Sequence, residues 1–195
     1  MIGDEMNYPN GIKKTHTEIL KTSHSNRGMT LESELNFSNE YYRDIDKAYI
    51  YKKPTPIKIT KVDYPSRDKA VIKEAFFTVP STTDYNGIYK GKYIDFEAKE
   101  TKSKTSFTLN NIHPHQIEHL KNIARHGGIA FLIIRFTELN ETYYLGIKEL
   151  VEFLNNEERK SLPLSFFHEK AILIKDSFNP RIDYLKIIDQ ITGGI

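Results

Sequence analysis

The chain alternates between two hydrophobic rhythms, and each rhythm predicts an element. After Thr30, the residues Leu31, Leu35, Ser38 and Tyr42 recur at helical spacing, which predicts a helix capped by Thr30 and running to about Asp44. "AYIYKK" then reads as a strand. Pro54 and Pro56 interrupt it, and "IKITKV" and "AVIKEAFF" alternate like strands on either side of the turn-rich "DYPSRDK", the pattern of a protruding hairpin. Further on, Ile117, Leu120, Ile123 and Ala124 form the stripe of a second helix that Gly127 can end. "IAFLIIRF" is apolar at almost every position, as a central strand covered on both faces must be, and "TYYLGI" follows as its expected antiparallel neighbour. "KELVEFLNNEERK" is an amphipathic helix, "AILIK" a short strand and "IDYLKIIDQI" a terminal helix. Strands and helices do not alternate regularly. The expected fold is α/β, a mixed sheet flanked by helices, rather than a βαβ repeat.

Composition narrows the class. The 195 residues, 38% hydrophobic and 28% charged, are enough for one domain with a core. The polar stretch 1–27, which lacks periodicity, is expected to be a flexible arm, leaving 28–195 as the domain with an insertion at about 52–76. The absence of cysteine excludes disulfides, thiol nucleophiles and zinc–thiolate sites, so any metal must use oxygen or histidine. No stretch resembles a signal peptide or a membrane span, and a cytoplasmic location is expected. The formal net charge is only +2, but it is unevenly spread. Lys52, Lys53, Lys58, Lys61, Arg67, Lys69 and Lys73 face only Asp63 and Asp68 within 52–73, an excess of five positive charges. Such a hairpin fits contacts to nucleic-acid phosphates, with Tyr64 and Phe76 available to sugars or bases. Lysines that guard an edge against aggregation are the structural alternative.

The most informative stretch is "STTDYNGIYKGKYIDFEAKETK", residues 81–102. If Lys90-Gly91 is a two-residue turn, Tyr89 faces Lys92 and the same register sets Asp84 opposite Glu97. Tyr93, Asp95, Glu97 and Lys99 then share one face, while Ile94, Phe96 and Ala98 point into a core. Two opposed carboxylates repel, and in a chain without cysteine a hard cation such as Mg²⁺ is the natural group to place between them. Lys99 points to the same place. A solvated hairpin face with incidental charge pairing gives the same alternation.

In this context the sequence resembles the PD-(D/E)xK nuclease superfamily and, within it, the RecU-type Holliday-junction resolvases. The resemblance runs from about Asn26 to the C-terminus and rests on "NRGMTLESELN", "YKKPTPIKITKVDYP", "STTDYNG", "YIDFEAKET" and "HPHQIEHL", in that order. Thr83 stands where the superfamily's name has proline. The resemblance implies a restriction-endonuclease-like fold and a Mg²⁺-dependent endonuclease, with Mn²⁺ able to substitute, that nicks four-way DNA junctions symmetrically and leaves 5′-phosphates. Asp84 and Glu97 are the implied catalytic metal ligands, Thr82 and Gln116 complete the metal environment, and Lys99 stabilises the transition state. Glu32, in a Gly-x-x-x-Glu pattern with Gly28, is either catalytic or simply an acidic residue at the positive end of a helix. Asp95 either supports the metal site or is solvated. His115 and His119 lack a third zinc ligand and read as solvated or phosphate-proximal. Arg27 and the seven basic residues of the insertion are the implied DNA contacts, the insertion resembling the stalk that enters the junction centre. Nucleoid association, and a recombinase and branch-migration helicase as partners, follow from the same resemblance; a homodimer is expected because a two-fold junction needs two cuts and the chain carries one Asp84-Glu97-Lys99 set. A related restriction or repair nuclease and a non-catalytic DNA-bridging protein are the alternatives.

Overall fold

Thr30, extended in its backbone, accepts the Ser33 amide at 3.2 Å and opens α1 (Leu31–Asp44), whose buried stripe is Leu31, Leu35, Ser38, Asn39 and Tyr42. This computed structural model describes residues 30–77 and 82–193; the expected arm, with Arg27, lies outside the described residues. After α1 come β1 (Tyr49–Lys52), β2 (Ile57–Asp63), β3 (Val71–Phe77), β4 (Tyr85–Tyr89), β5 (Lys92–Thr101) and β6 (Ser106–Thr108). Then follow α2 (Pro114–Arg125), β7 (Ile129–Phe136), β8 (Glu141–Gly146), α3 (Ile147–Asn156), β9 (Ser161–Pro163), α4 (Leu164–Lys170), β10 (Ile172–Ile174) and α5 (Tyr184–Thr192).

The main sheet has six strands in the order β1-β4-β5-β7-β8-β10. β5 and β7 are parallel, and the neighbours on either side run antiparallel. Parallel neighbours need a crossover, and α2 supplies it. β7 explains its own apolar run: Phe131 and Ile133 enter the core beneath α1 and α5, while Ala130, Leu132, Ile134 and Phe136 enter the one beneath α2, α3 and α4. A fully buried Leu, Ile or Phe stabilises by about 1.5–3 kcal/mol, so this strand anchors both layers. The mixed sheet flanked by helices is the architecture expected from the sequence. At the outer pair of strands, a Cβ on Gly87 would lie 2.2 Å from the Tyr49 carbonyl oxygen, so only glycine lets β1 approach β4 there.

Two features depart from the expectation. The insertion starts later than residue 52, because Lys52 ends β1 inside the main sheet and the projecting pair is β2 with β3, 57–77. Its residues are exposed along both strands, and its pairing is irregular around Lys61. The small β6–β9 pair and α4 have no counterpart among the elements expected from the sequence. Three-residue strands and a seven-residue helix are too short to carry a period.

Candidate active site

The turn that sets the register is Lys90-Gly91, with φ of 46° and 74°, the doubly positive geometry of a two-residue hairpin loop. Pairing runs from Tyr89↔Lys92 to Tyr85↔Phe96, and Asp84 stands one residue further, beside Glu97. The Asp84 N–H donates to Glu97 Oε2 at 3.1 Å, and Asp84 Oδ2 accepts the Ala98 N–H at 3.2 Å. Glu97 is fully buried, and Lys99 Nζ lies 2.6 Å from its Oε1. That contact is a charge pairing without hydrogen-bond geometry, since Oε1 accepts no hydrogen bond. Burial first, and the Asp84 carboxylate second, push Glu97 up to about 7 against the opposite pull of Lys99 and Gln116.

The platform beneath this face is aromatic. Tyr85, Phe96, Phe131 and Tyr144 stack in succession across β4, β5, β7 and β8, with ring centroids 4.8, 4.8 and 4.5 Å apart. Tyr85 follows Asp84 in the chain and Phe96 precedes Glu97. The stack therefore fixes the backbone on which both carboxylates ride.

Other residues singled out in the sequence fall in different places. Gln116 is buried on the first turn of α2, its Oε1 accepting the His113 N–H at 3.0 Å, and its side chain is near enough to Glu97 to favour the ionised carboxylate. It thus meets the site as a partner of Glu97, with its carbonyl oxygen already engaged in capping the helix. Thr82 is exposed, and its Oγ1 accepts Lys53 Nζ at 3.1 Å. Glu32 is exposed and paired with Lys52 at 2.5 Å. Lys58, Lys61 and Lys69 are exposed on the hairpin, Lys73 lies 3.6 Å from Asp63, and Arg67 opens the 3-10 turn at its tip. Lys53 departs from the expectation. Its side chain is only 15% exposed, and its ammonium is held by Thr82, Thr83 and Asp95, so it is not a free phosphate contact.

Among the described residues, no three His, Asp or Glu side chains converge as a metal-ligand cluster. A cation here would be held by two carboxylates, Asp84 and Glu97. Their oxygen-only donors fit a hard divalent ion that keeps water or substrate oxygens as its other ligands, with the Lys99 ammonium beside Glu97 Oε1.

A family model described as Recombination protein U matches residues 26–190. The chain belongs to the RecU family. The proteins named Holliday junction resolvase RecU from Bacillus thuringiensis (strain Al Hakam) and Bacillus cereus (strain AH820) are each 52% identical to it over 193 residues, covering 94% of this chain and 96% of theirs. A solved structure of Hjc, a Holliday junction resolvase from Archaeoglobus fulgidus, superposes with a TM-score of 0.41 at 11% identity over 84% of this chain and 98% of that one, too loosely to bear on function.

In this RecU-family chain one cluster beside the carboxylates goes beyond what the sequence foretold. Asp95 is fully buried rather than solvated. Its Oδ2 accepts Lys53 Nζ at 2.7 Å and the Tyr93 hydroxyl at 3.0 Å, with His119 Nε2 at 3.1 Å, and its Oδ1 accepts the Thr83 hydroxyl. His119 is therefore a partner of Asp95 and is not solvated. The alternation that placed Asp95 on the face of Glu97 was readable; that Lys53 folds back onto it was not, because a lysine in a basic stretch carries no mark of burial.

Proposed function

We propose that this RecU-family chain is a Holliday junction resolvase: a metal-dependent endodeoxyribonuclease that cuts four-way DNA junctions by paired symmetrical nicks in recombination and repair. The observation that carries this reading is the half-buried Asp84 beside the buried Glu97 with Lys99 against it, on a domain that also carries a projecting basic hairpin. Carboxylates set side by side repel, and a divalent cation held between them, with Lys99 beside Glu97, offsets that repulsion.

Asp84 and Glu97 would hold Mg²⁺, or Mn²⁺ in its place, with Gln116 orienting Glu97. When bound, such an ion supplies Lewis-acid stabilisation for phosphodiester hydrolysis. Lys99 offsets the negative charge that develops on the phosphate, and its ammonium is already aimed at the site by Glu97. Water is the nucleophile, and the products carry 5′-phosphates. Lys58, Lys61, Lys69 and Lys73 on the hairpin, with Arg67, bind phosphates without reading bases. Lys52 reaches phosphate by exchanging its exposed pairing with Glu32, which is worth little in water.

The working unit in this proposal is a homodimer, because one carboxylate pair makes one cut and a junction needs two. Exposed apolar side chains support it. Ile57 and Ile59 face Phe77 and Ala75 at the base of the hairpin with Phe77 82% exposed, and Tyr49, Tyr51 and Ile88 lie exposed on the outer strands. A two-stranded hairpin with apolar side chains in water is marginal alone, and a second copy would cover it. A recombinase and a branch-migration helicase are the proposed protein partners in the bacterial cytoplasm. The test is incubation of the protein with labelled four-way and linear DNA, with and without Mg²⁺: cleavage confined to the junction and to the metal-containing arm supports the reading.

A further inference from the structure

Lys53 and Thr82-Thr83 lie on the two sides of the projecting hairpin, one on the chain leading out to it and the other on the chain returning from it. Both are tied to one buried carboxylate. Lys53 Nζ donates to Asp95 Oδ2 at 2.7 Å, to Thr83 Oγ1 at 2.5 Å and to Thr82 Oγ1 at 3.1 Å, which uses all three of its donors. The Thr83 hydroxyl donates onward to Asp95 Oδ1, and Thr83 is fully buried. The main chain repeats the tie, with the Lys53 N–H donating to the Asp84 carbonyl oxygen at 2.8 Å. Asp95 itself is held from α2 by His119 and from its own strand by Tyr93, whose hydroxyl accepts Asn86 Nδ2 at 2.9 Å.

From this geometry we propose that Lys53 and Asp95 are positioning residues for cleavage: they clasp the two ends of the hairpin and thereby fix Thr83-Asp84 against Glu97. The proposal rests on the nuclease reading of the Asp84–Glu97 pair and deepens it. Neither residue touches substrate. Asp84 lies outside the ladder of β4 with β5, which begins at Tyr85, so its carbonyl bond to Lys53 and the Thr83–Asp95 bond hold it from the hairpin side while its bonds to Glu97 and the Ala98 amide hold it from β5. A carboxylate displaced by about 1 Å loses on the order of 100-fold in rate. The clasp also connects the element that would grip the junction to the carboxylates that would cut it.

The test compares wild type with Lys53→Met/Asp95→Asn, which removes both charges together and so leaves neither buried alone, and with Asp95→Asn, which keeps the side-chain shape. Three quantities are measured: junction affinity in Ca²⁺, single-turnover cleavage of a labelled junction at saturating Mg²⁺, and Mn²⁺ affinity by calorimetry without DNA. The expected result is junction affinity within about threefold of wild type, a cleavage rate reduced about 10–100-fold, and a comparable weakening of Mn²⁺ binding. A merely structural clasp would lower thermal stability and leave the rate of folded protein and its Mn²⁺ affinity unchanged; that result overturns the proposal. If wild type cuts no DNA under any divalent ion, the nuclease reading fails, and the Mn²⁺ titration decides the clasp by itself: unchanged affinity in the variants overturns it and weakened affinity supports it.

Discussion

Asp84 and Glu97 orient each other through their backbones: the Asp84 amide donates to Glu97 Oε2, and the Asp84 carboxylate accepts the amide of Ala98, the residue after Glu97. The exchange fixes one oxygen of each group, and the other oxygen of Glu97 lies against the Lys99 ammonium. It also means that neither carboxylate can be moved without releasing the partner. Asp84→Ala, Glu97→Ala and Lys99→Ala are therefore each expected to lower single-turnover junction cleavage by at least about 100-fold. Junction affinity measured in Ca²⁺ should remain near wild type, because it comes from basic residues elsewhere.

The raised pKa of Glu97 has a consequence for stability. Its carboxyl is lifted from 4.5 to about 7 by burial and by Asp84, so between those values the folded chain keeps a proton that the unfolded chain has released. Its contribution is fully present below pH 4.5 and is lost as pH rises through about 7. In EDTA, urea-unfolding stability of wild type should fall across this window relative to Glu97→Gln, by up to about 1.4 kcal/mol per pH unit. Added Mg²⁺ should reduce the difference. Parallel pH profiles for the two proteins would contradict the assignment.

On the hairpin, neutralising Lys58, Lys61 and Lys69 should reduce the slope of log affinity against log salt by up to about 0.9 for each phosphate that is no longer neutralised. Shortening residues 55–74 to a tight turn should leave Mn²⁺ affinity intact and erase the preference for junction over duplex. A shortened protein that still prefers junctions would make the hairpin a structural element only.

Phe96 lies at the centre of the aromatic stack behind the carboxylates, against Tyr85, Phe131 and Tyr184. Phe96→Ala should cost about 3–5 kcal/mol in chemical denaturation. Phe96→Leu, which keeps most of the volume, should cost far less.

Much of this arrangement is legible in the chain because it is governed by period and turn chemistry. Lys90-Gly91 sets the register, and strict alternation along 93–99 then places Asp95, Glu97 and Lys99 on one face. The central strand declares itself by length and continuous apolarity. What stays hidden is tertiary. The inward fold of Lys53 depends on Asp95 being sealed beneath α2, and a basic tract looks the same whether its lysines meet water or a buried carboxylate. Gln116 is placed beside Glu97 by resemblance alone, but its engagement as a helix cap emerges only from the fold. The β6–β9 pair and α4 are too short for any periodic signal.

Whether two chains each bring one Asp84–Glu97–Lys99 set to one junction is decided by mixed dimers. Wild type and Asp84→Ala are co-assembled, bound to a cruciform plasmid in excess, and supplied with Mg²⁺ for a single binding event. Wild-type dimers should linearise the plasmid by two opposed nicks, and mixed dimers should leave it nicked in one strand. Linear product from the mixed dimers at the wild-type yield, or paired cuts by a sedimenting monomer, would rule out paired cleavage by two such sites.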